Sequence, residues 1–234
     1  ARDIIEAIAV REMTECVLVL PRHGTEHSGN LPPKVTQAVP SAARLTYALR
    51  SILAAIRLRP DFVLCNHLYM APLAHLAARM CGAKLIIQLH GIEIWKPPTA
   101  LQRKVLERAD LLICVSRDTR ARVLGYCDAV PERVVVINNT IDPRFKPGDR
   151  AAARARFGLT KEFVLLAVGR IDARERYKGH DRVIDALPGL PSPYGRNVMF
   201  LIAGTGDDRP RLEALARSNG SAAKVKFLEH VAFD

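Results

Sequence analysis

The densest chemistry in the sequence lies in VGRIDARERYKGHDRVIDAL, residues 168–187. An apolar run ends at Val168, Gly169 permits a tight turn, and a loop carrying Arg170, Arg174, Arg176 and Lys178 leads into a helical pattern near Gly179. In an open α/β sheet, ligands meet the carboxyl ends of strands. An anion placed there finds unpaired N–H groups and the positive end of a helix dipole. Arg170 offers a planar guanidinium that grips two oxygens at once, and Lys178 a compact point charge. Two permanent cations at such a turn suit a phosphate or a diphosphate. Arg174 and Arg176 read as solvated loop residues.

Short apolar strands alternating with helical patterns must position these groups. Strands are expected at 16–20, 61–65, 84–89, 111–115 and 133–137, then at 163–168, 198–203 and 224–228. Runs such as KLIIQL and FVLLAV lack polar alternation, the pattern of strands buried on both faces of a parallel sheet. Helices are expected near 41–57, 71–80, 99–108, 116–124, 149–156, 179–187 and 208–218. Alternation of this length predicts an α/β protein with doubly wound parallel sheets. The stretch DPRFKPGD (142–149) carries two prolines and a glycine, breaks the rhythm and reads as a linker. Two Rossmann-like domains follow, 1–143 and 144–234. The first opens on a helix with Ile4, Ile5 and Ile8 on one side and no strand before it, and the last residues, HVAFD, stop just after a strand. Both ends are therefore expected to be truncated.

Composition narrows the function classes. The chain has 234 residues, 49% of them hydrophobic and 25% charged, enough for a packed core. No apolar run approaches the ~18 residues of a membrane span, and the charges in ARDIIEAIAVRE exclude a signal peptide. Five cysteines form no CxxC pair, which argues against a disulfide framework or structural zinc and fits a cytoplasmic protein. Cys16, Cys65 and Cys114 belong to apolar runs and are expected to pack as small hydrophobes. The net charge of +11 is spread over both halves, and only 6% of residues are aromatic, so a nucleic-acid partner is not expected. Diffuse positive charge suits phosphate-bearing substrates or an anionic lipid surface. In helix 41–57, Leu45, Leu49, Ile52, Leu53 and Ile56 share one side, flanked by Arg44 and Arg59, with Arg50 and Arg57 opposite. Two readings stay open for it: a surface helix with a solvated basic face, or a patch held to the inner face of the cytoplasmic membrane.

GR-x7-KGHD after a hydrophobic strand resembles the donor-diphosphate motif of glycosyltransferase family 4 (glycosyl transferase group 1), whose fold is GT-B. The usual form is GR-x4-KG; the longer loop IDARERY is similar to a variant of bacterial polysaccharide-forming members. LIIQLHGIEIW (85–95), ADLLICVSRDTRARV (109–123), VVVINNTIDPRFKP (134–147), FLIAGTGDDRPRLEALA and KVKFLEHV resemble further family segments in order, and together they span nearly the whole chain. Thr140 stands where the family usually has glycine, so Asn138 or Asn139 is expected to take the left-handed turn conformation instead.

The resemblance implies roles. Arg170 and Lys178 would hold the donor diphosphate, with Gly169 beside them. His90 would lie at the cleft near the transferred sugar, as a catalytic residue, with Gly91 giving backbone access; the plain alternative is a strand-end histidine satisfied by packing. Glu93 would bond a substrate or brace the structure. Gly204 and Gly206 would let the backbone approach the nucleotide, and the backbone at Val231 would meet the base. His67 and Tyr69 read as turn-capping residues or as acceptor-side contacts. The implied reaction moves a hexose, with retention, from a nucleotide diphosphate sugar to a carbohydrate or lipid-linked acceptor, with no cofactor and no essential metal. The family's E-x7-E motif and first glycine-rich loop are not in the chain, so catalysis by the chain alone is not expected. Two other readings remain: a GT-B sugar-nucleotide epimerase, and a non-catalytic nucleotide-binding protein. No GxGxxG follows a strand, which disfavours a dinucleotide-dependent oxidoreductase.

Overall fold

The computed structural model describes residues 2–23, 31–141 and 145–229. The chain divides into two compact units, Ala1–Asp142 and Pro143–Asp234. Each is described by itself.

In the first unit, helix α1 (Arg2–Ala9) precedes a two-stranded parallel sheet of β1 (Val17–Val19) and β2 (Val35–Gln37). A second, all-parallel sheet holds β3 (Phe62–Cys65), β4 (Lys84–Leu89), β5 (Leu111–Cys114) and β6 (Val134–Val136), in chain order. Parallel neighbours need crossovers. Helices α3 (Ala71–Cys81), α4 (Ala100–Arg108) and α5 (Arg117–Tyr126) supply them, and α2 (Arg44–Leu58) connects the two sheets. Local chemistry sets the helix starts. Thr99 and Gln102 form a reciprocal capping box on α4, and Ser116 accepts from Thr119 N–H to begin α5. Ile87, Leu89, Leu112, Cys114 and Val123 are fully or almost fully buried in the core between sheet and helices. Burial pushes the Cys114 thiol up to about 11, so it stays protonated and unreactive at neutral pH.

The second unit runs α6 (Arg150–Arg156), β7 (Phe163–Val168), α7 (His180–Ala186), β8 (Val198–Ala203), α8 (Arg209–Ser218) and β9 (Val225–Leu228). Its three strands are parallel and lie in chain order, with β7 registered against β8 from Phe163↔Val198 to Val168↔Ala203. Ile171, Ile184, Leu187, Ile202 and Leu212 form the core under α7 and α8.

Several expectations need correction. β2 was not foreseen. FVLLAV is not buried on both faces: it forms β7, the outer strand of this sheet among the described residues, and Leu166 and Val168 are exposed. Cys65 and Cys114 are buried as expected, but Cys16 is exposed, ahead of a sheet that is only half-buried. Neither Asn138 nor Asn139 takes positive φ; among the described residues, the non-glycines that do are Arg59 and Tyr194. Asn138 uses its side chain instead, donating to the Val115 carbonyl at 2.9 Å and pinning the chain after β6 to the end of β5. Helix α2 buries Ala55 and turns Tyr47 and Ser51 inward, while Leu45, Leu49, Leu53 and Ile56 are exposed at 81%, 62%, 47% and 41%.

Candidate functional site

In the second unit, the residues after β7 are held by the neighbouring strand's loop. Gly169 N–H donates to the Ala203 carbonyl and Ile171 N–H to the Thr205 carbonyl, both at 2.9 Å. These bonds bring the turn after β7 hard against the turn after β8. Gly204 has φ of 150°, and a Cβ built on it would overlap the Gly169 carbonyl. The closest approach to Gly204 is therefore by protein backbone. Gly206 repeats the arrangement against the Ile171 carbonyl.

Arg170 and Lys178 come together at this turn. Residues Ala173–Lys178 form a 3-10 segment, started by Asp172, whose carboxylate accepts from Arg174 N–H at 2.9 Å. That segment folds Lys178 back over the turn: its Nζ donates to the Arg170 carbonyl at 3.3 Å and lies 3.4 Å from where a Cβ on Gly169 would stand. Between the two cations sits Glu175. One of its oxygens accepts from Arg170 Nη2 at 2.5 Å and the other from Lys178 Nζ at 2.7 Å. The guanidinium faces solvent, 73% exposed, while the Glu175 carboxylate is only 16% exposed. Chemically this is a seat for an anion that presents two oxygens to two permanent cations.

The loop is held in place from beneath. Asp208, whose side chain is 6% exposed, accepts from Arg211 at 2.6 and 2.8 Å and from Arg176 at 3.2 Å. Arg211 also reaches Asp181 at 3.2 Å, and Ala173 N–H donates to the Asp207 carboxylate at 2.8 Å. The Arg211 guanidinium holds the Asp208 carboxyl below the usual carboxylate range, so the clamp is ionised at neutral pH. Arg174 does the same to Asp172, at about 2. Arg176 is thus an anchor of the loop, whereas Arg174 is 89% exposed and pairs only with Asp172 among the described residues. Burial, with help from the Lys178 charge, lowers the pKa of His180 and favours its neutral form.

In the first unit, His90 directly follows β4. Its backbone N–H donates to Glu93 Oε1 at 2.8 Å, and Nε2 lies 3.1 Å from the Asn66 carbonyl. A carbonyl only accepts, so Nε2 is the donor in this contact. Gly91, at φ of 105°, makes the bend that allows this; a Cβ there would stand 3.3 Å from Thr119 Oγ1. Glu93 is thereby a brace for the His90 turn through one oxygen, while its Oε2 is buried and has no partner among the described residues. His67 caps the turn after β3, its Nδ1 accepting from Tyr69 N–H at 3.3 Å, with the two rings stacked 5.0 Å apart. Val231 lies outside the described residues. Among the described residues, no group of three His, Cys, Asp or Glu side chains is placed to hold a metal ion.

Sequence reasoning missed Glu175, Asp208 and Asn66. A glutamate three residues before Lys178 was a usable signal, because one helical turn brings such a pair together. Asp208 and Arg211 carry the same spacing, whereas the reach of Arg176 to Asp208 and of His90 to Asn66 is set by tertiary packing and leaves no local trace.

Comparison with known proteins gives these sites a context. Residues 6–145 match the family described as Glycosyltransferase Family 4, and residues 149–234 match Glycosyl transferases group 1. The D-inositol 3-phosphate glycosyltransferase of Geodermatophilus obscurus is 34% identical over 140 residues, which cover 56% of this chain and 30% of that protein. The alpha-D-kanosaminyltransferase of Streptomyces kanamyceticus is 29% identical over 176 residues, covering 67% of this chain and 45% of that one. The chain therefore spans less than half the length of either. Among solved structures, Anabaena HepE in complex with UDP-glucose superposes with a TM-score of 0.67 at 21% identity, over 84% of this chain and 56% of that one. Sucrose-phosphate synthase from Thermosynechococcus elongatus gives a TM-score of 0.70 at 17% identity, over 98% of this chain and 64% of that one. These likenesses give the two parallel α/β units a GT-B-like, Rossmann-type fold. With the family match spanning more than half of its residues, the chain belongs to glycosyltransferase family 4.

Proposed function

We propose that this chain is part of an enzyme that transfers a hexose, with retention, from a nucleotide diphosphate sugar to a hydroxyl acceptor in polysaccharide, lipopolysaccharide or glycolipid assembly. One observation carries the reading: Arg170 and Lys178 converge on a single carboxylate at the carboxyl end of β7. Breaking the glycosidic bond leaves new negative charge on the diphosphate. Cations already in place stabilise that charge without reorganisation. They also offset the diphosphate's charge, so no essential metal is invoked. His90 is assigned to the transferred sugar, at the turn after β4 that Gly91 and Glu93 shape. The family match, the relatives named as glycosyltransferases and a fold neighbour solved with UDP-glucose all support this reading.

The test is a panel of nucleotide sugars offered to the complete protein, with thermal stabilisation and transfer product both measured. Stabilisation by one donor together with a new glycoside is expected. Stabilisation without any product, or epimerised donor in place of a glycoside, would overturn it.

The same proposal places the protein in the cytoplasm, at the inner face of the membrane. No described helix is long and apolar enough to cross a membrane. The exposed row Leu45, Leu49, Leu53 and Ile56 supports attachment instead, with Arg44 and Arg59 flanking it and a recess of about 230 Å³ beside it. Apolar side chains enter the headgroup boundary while arginines meet anionic lipid. Vesicles containing phosphatidylglycerol are expected to pull down the protein, and Leu49→Glu to reduce that binding about tenfold or more. Equal recovery of both proteins would refute membrane attachment.

A further inference from the structure

We infer that Glu175 is a built-in stand-in for the donor diphosphate, an intramolecular competitor that occupies the anion seat and sets how tightly the diphosphate binds and how readily it leaves. This rests on the diphosphate reading above and adds the residue that regulates the same seat.

The geometry is that of a bridging anion. Glu175 gives one oxygen to Arg170 at 2.5 Å and the other to Lys178 at 2.7 Å. Those are the contacts that two phosphates of a diphosphate would take. The carboxylate lies on the inner side, with the exposed guanidinium outside it. A diphosphate reaching both nitrogens would come within a few ångströms of the carboxylate, where like charges repel strongly. One of the two anions has to leave.

The loop is built so that Glu175 can leave alone. It sits at a break in the 3-10 segment, with φ of −113° and ψ of 29°. The segment on either side is tethered without its carboxylate: Ala173 N–H to Asp207, Arg174 N–H to Asp172, and the Arg176 guanidinium to Asp208. Rotation of one side chain therefore empties the seat while the loop stays tethered and Lys178 keeps its bond to the Arg170 carbonyl. An anion with a single charge and one phosphorus gains too little to displace Glu175, whereas a diphosphate replaces both contacts with stronger ones. When the nucleoside diphosphate product departs, the returning carboxylate refills the seat.

The experiment measures binding of inorganic pyrophosphate to the complete protein by calorimetry, with inorganic phosphate as the single-phosphorus probe. Glu175→Gln keeps shape and removes charge, Glu175→Ala removes both, and Asp185→Asn makes the same charge change on the exposed side of α7 without touching the seat. Thermal melting checks that each variant is folded. Both Glu175 variants are expected to bind pyrophosphate about tenfold tighter, with the gain shrinking as salt is raised, and Asp185→Asn to change it less than about twofold. Phosphate binding is expected to rise by about the same factor, because any anion that takes the seat is relieved of the same competitor. If Arg170→Ala and Lys178→Ala weaken pyrophosphate binding but the Glu175 variants do not strengthen it, Glu175 is only a brace for the cations and the inference is wrong. Equal tightening in Asp185→Asn would reduce the effect to bulk charge and also overturn it. If neither cation variant changes pyrophosphate binding, the diphosphate reading itself fails.

Discussion

Replacing Arg170 with alanine in the complete protein is expected to lower turnover by roughly 100–1000-fold, the usual cost of deleting one preorganised donor to developing charge. Donor affinity should fall less. The diphosphate carries charge before the reaction, but the interaction grows as the leaving group gains more, and only that increment accelerates the chemical step. Arg170→Lys is expected to recover part of the loss, since it keeps the charge and gives up the two-point grip. The fold should survive, because the guanidinium is 73% exposed and its side-chain partner among the described residues is Glu175. Steady-state kinetics across the donor concentration range checks this, alongside a melting curve. Wild-type turnover in the folded alanine variant would remove Arg170 from the reaction.

Gly204→Ala is expected to cost about 3–5 kcal/mol, the range of severe backbone clashes rather than of ordinary surface changes. Two penalties coincide at this position. The φ of 150° is one that residues with a Cβ rarely adopt, and the new methyl group would overlap the Gly169 carbonyl. Relief requires the turns after β7 and β8 to separate. That would strain the bonds from Gly169 N–H to Ala203 and from Ile171 N–H to Thr205 that seat Arg170. Denaturant unfolding of the second unit should show the loss, and surviving folded protein should bind pyrophosphate poorly. A variant as stable as the parent would mean that the two turns are not packed as described.

What the sequence discloses is mostly what local physics decides. Strands 84–89, 163–168 and 198–203 agree end for end with β4, β7 and β8, because runs of β-branched and aliphatic residues favour the extended strand whether one face or both is covered. The pair Arg170 and Lys178 was legible for a similar reason: a strand, a glycine and a cluster of fixed charges announce a turn facing solvent. β2 was not legible, since Val35–Gln37 is three residues long and carries no period. Helix α2 shows a different limit. Its hydrophobic period was read correctly, but a period says that one side is apolar and not which way that side points. Small residues such as Ala55 face inward and the leucines outward, a choice made by packing.

Gly204 illustrates how a glycine can also answer a packing demand that only the folded chain shows. A glycine near a strand end suggests backbone open to a ligand, yet the space it leaves is filled by Gly169, 35 positions earlier. Glu175 was overlooked because a carboxylate inside a basic loop looks like charge balance. Only the three-dimensional arrangement shows each of its oxygens on a different cation.

The central claim is that the guanidinium of Arg170 and the ammonium of Lys178 hold the donor's two phosphates, and a crystal structure of the complete protein with UDP tests it most directly. The account predicts phosphate oxygens about 2.7–3.0 Å from both cationic groups, with the Glu175 carboxylate turned out of its place between them. A diphosphate bound elsewhere, with Glu175 still bridging the two cations, would contradict it.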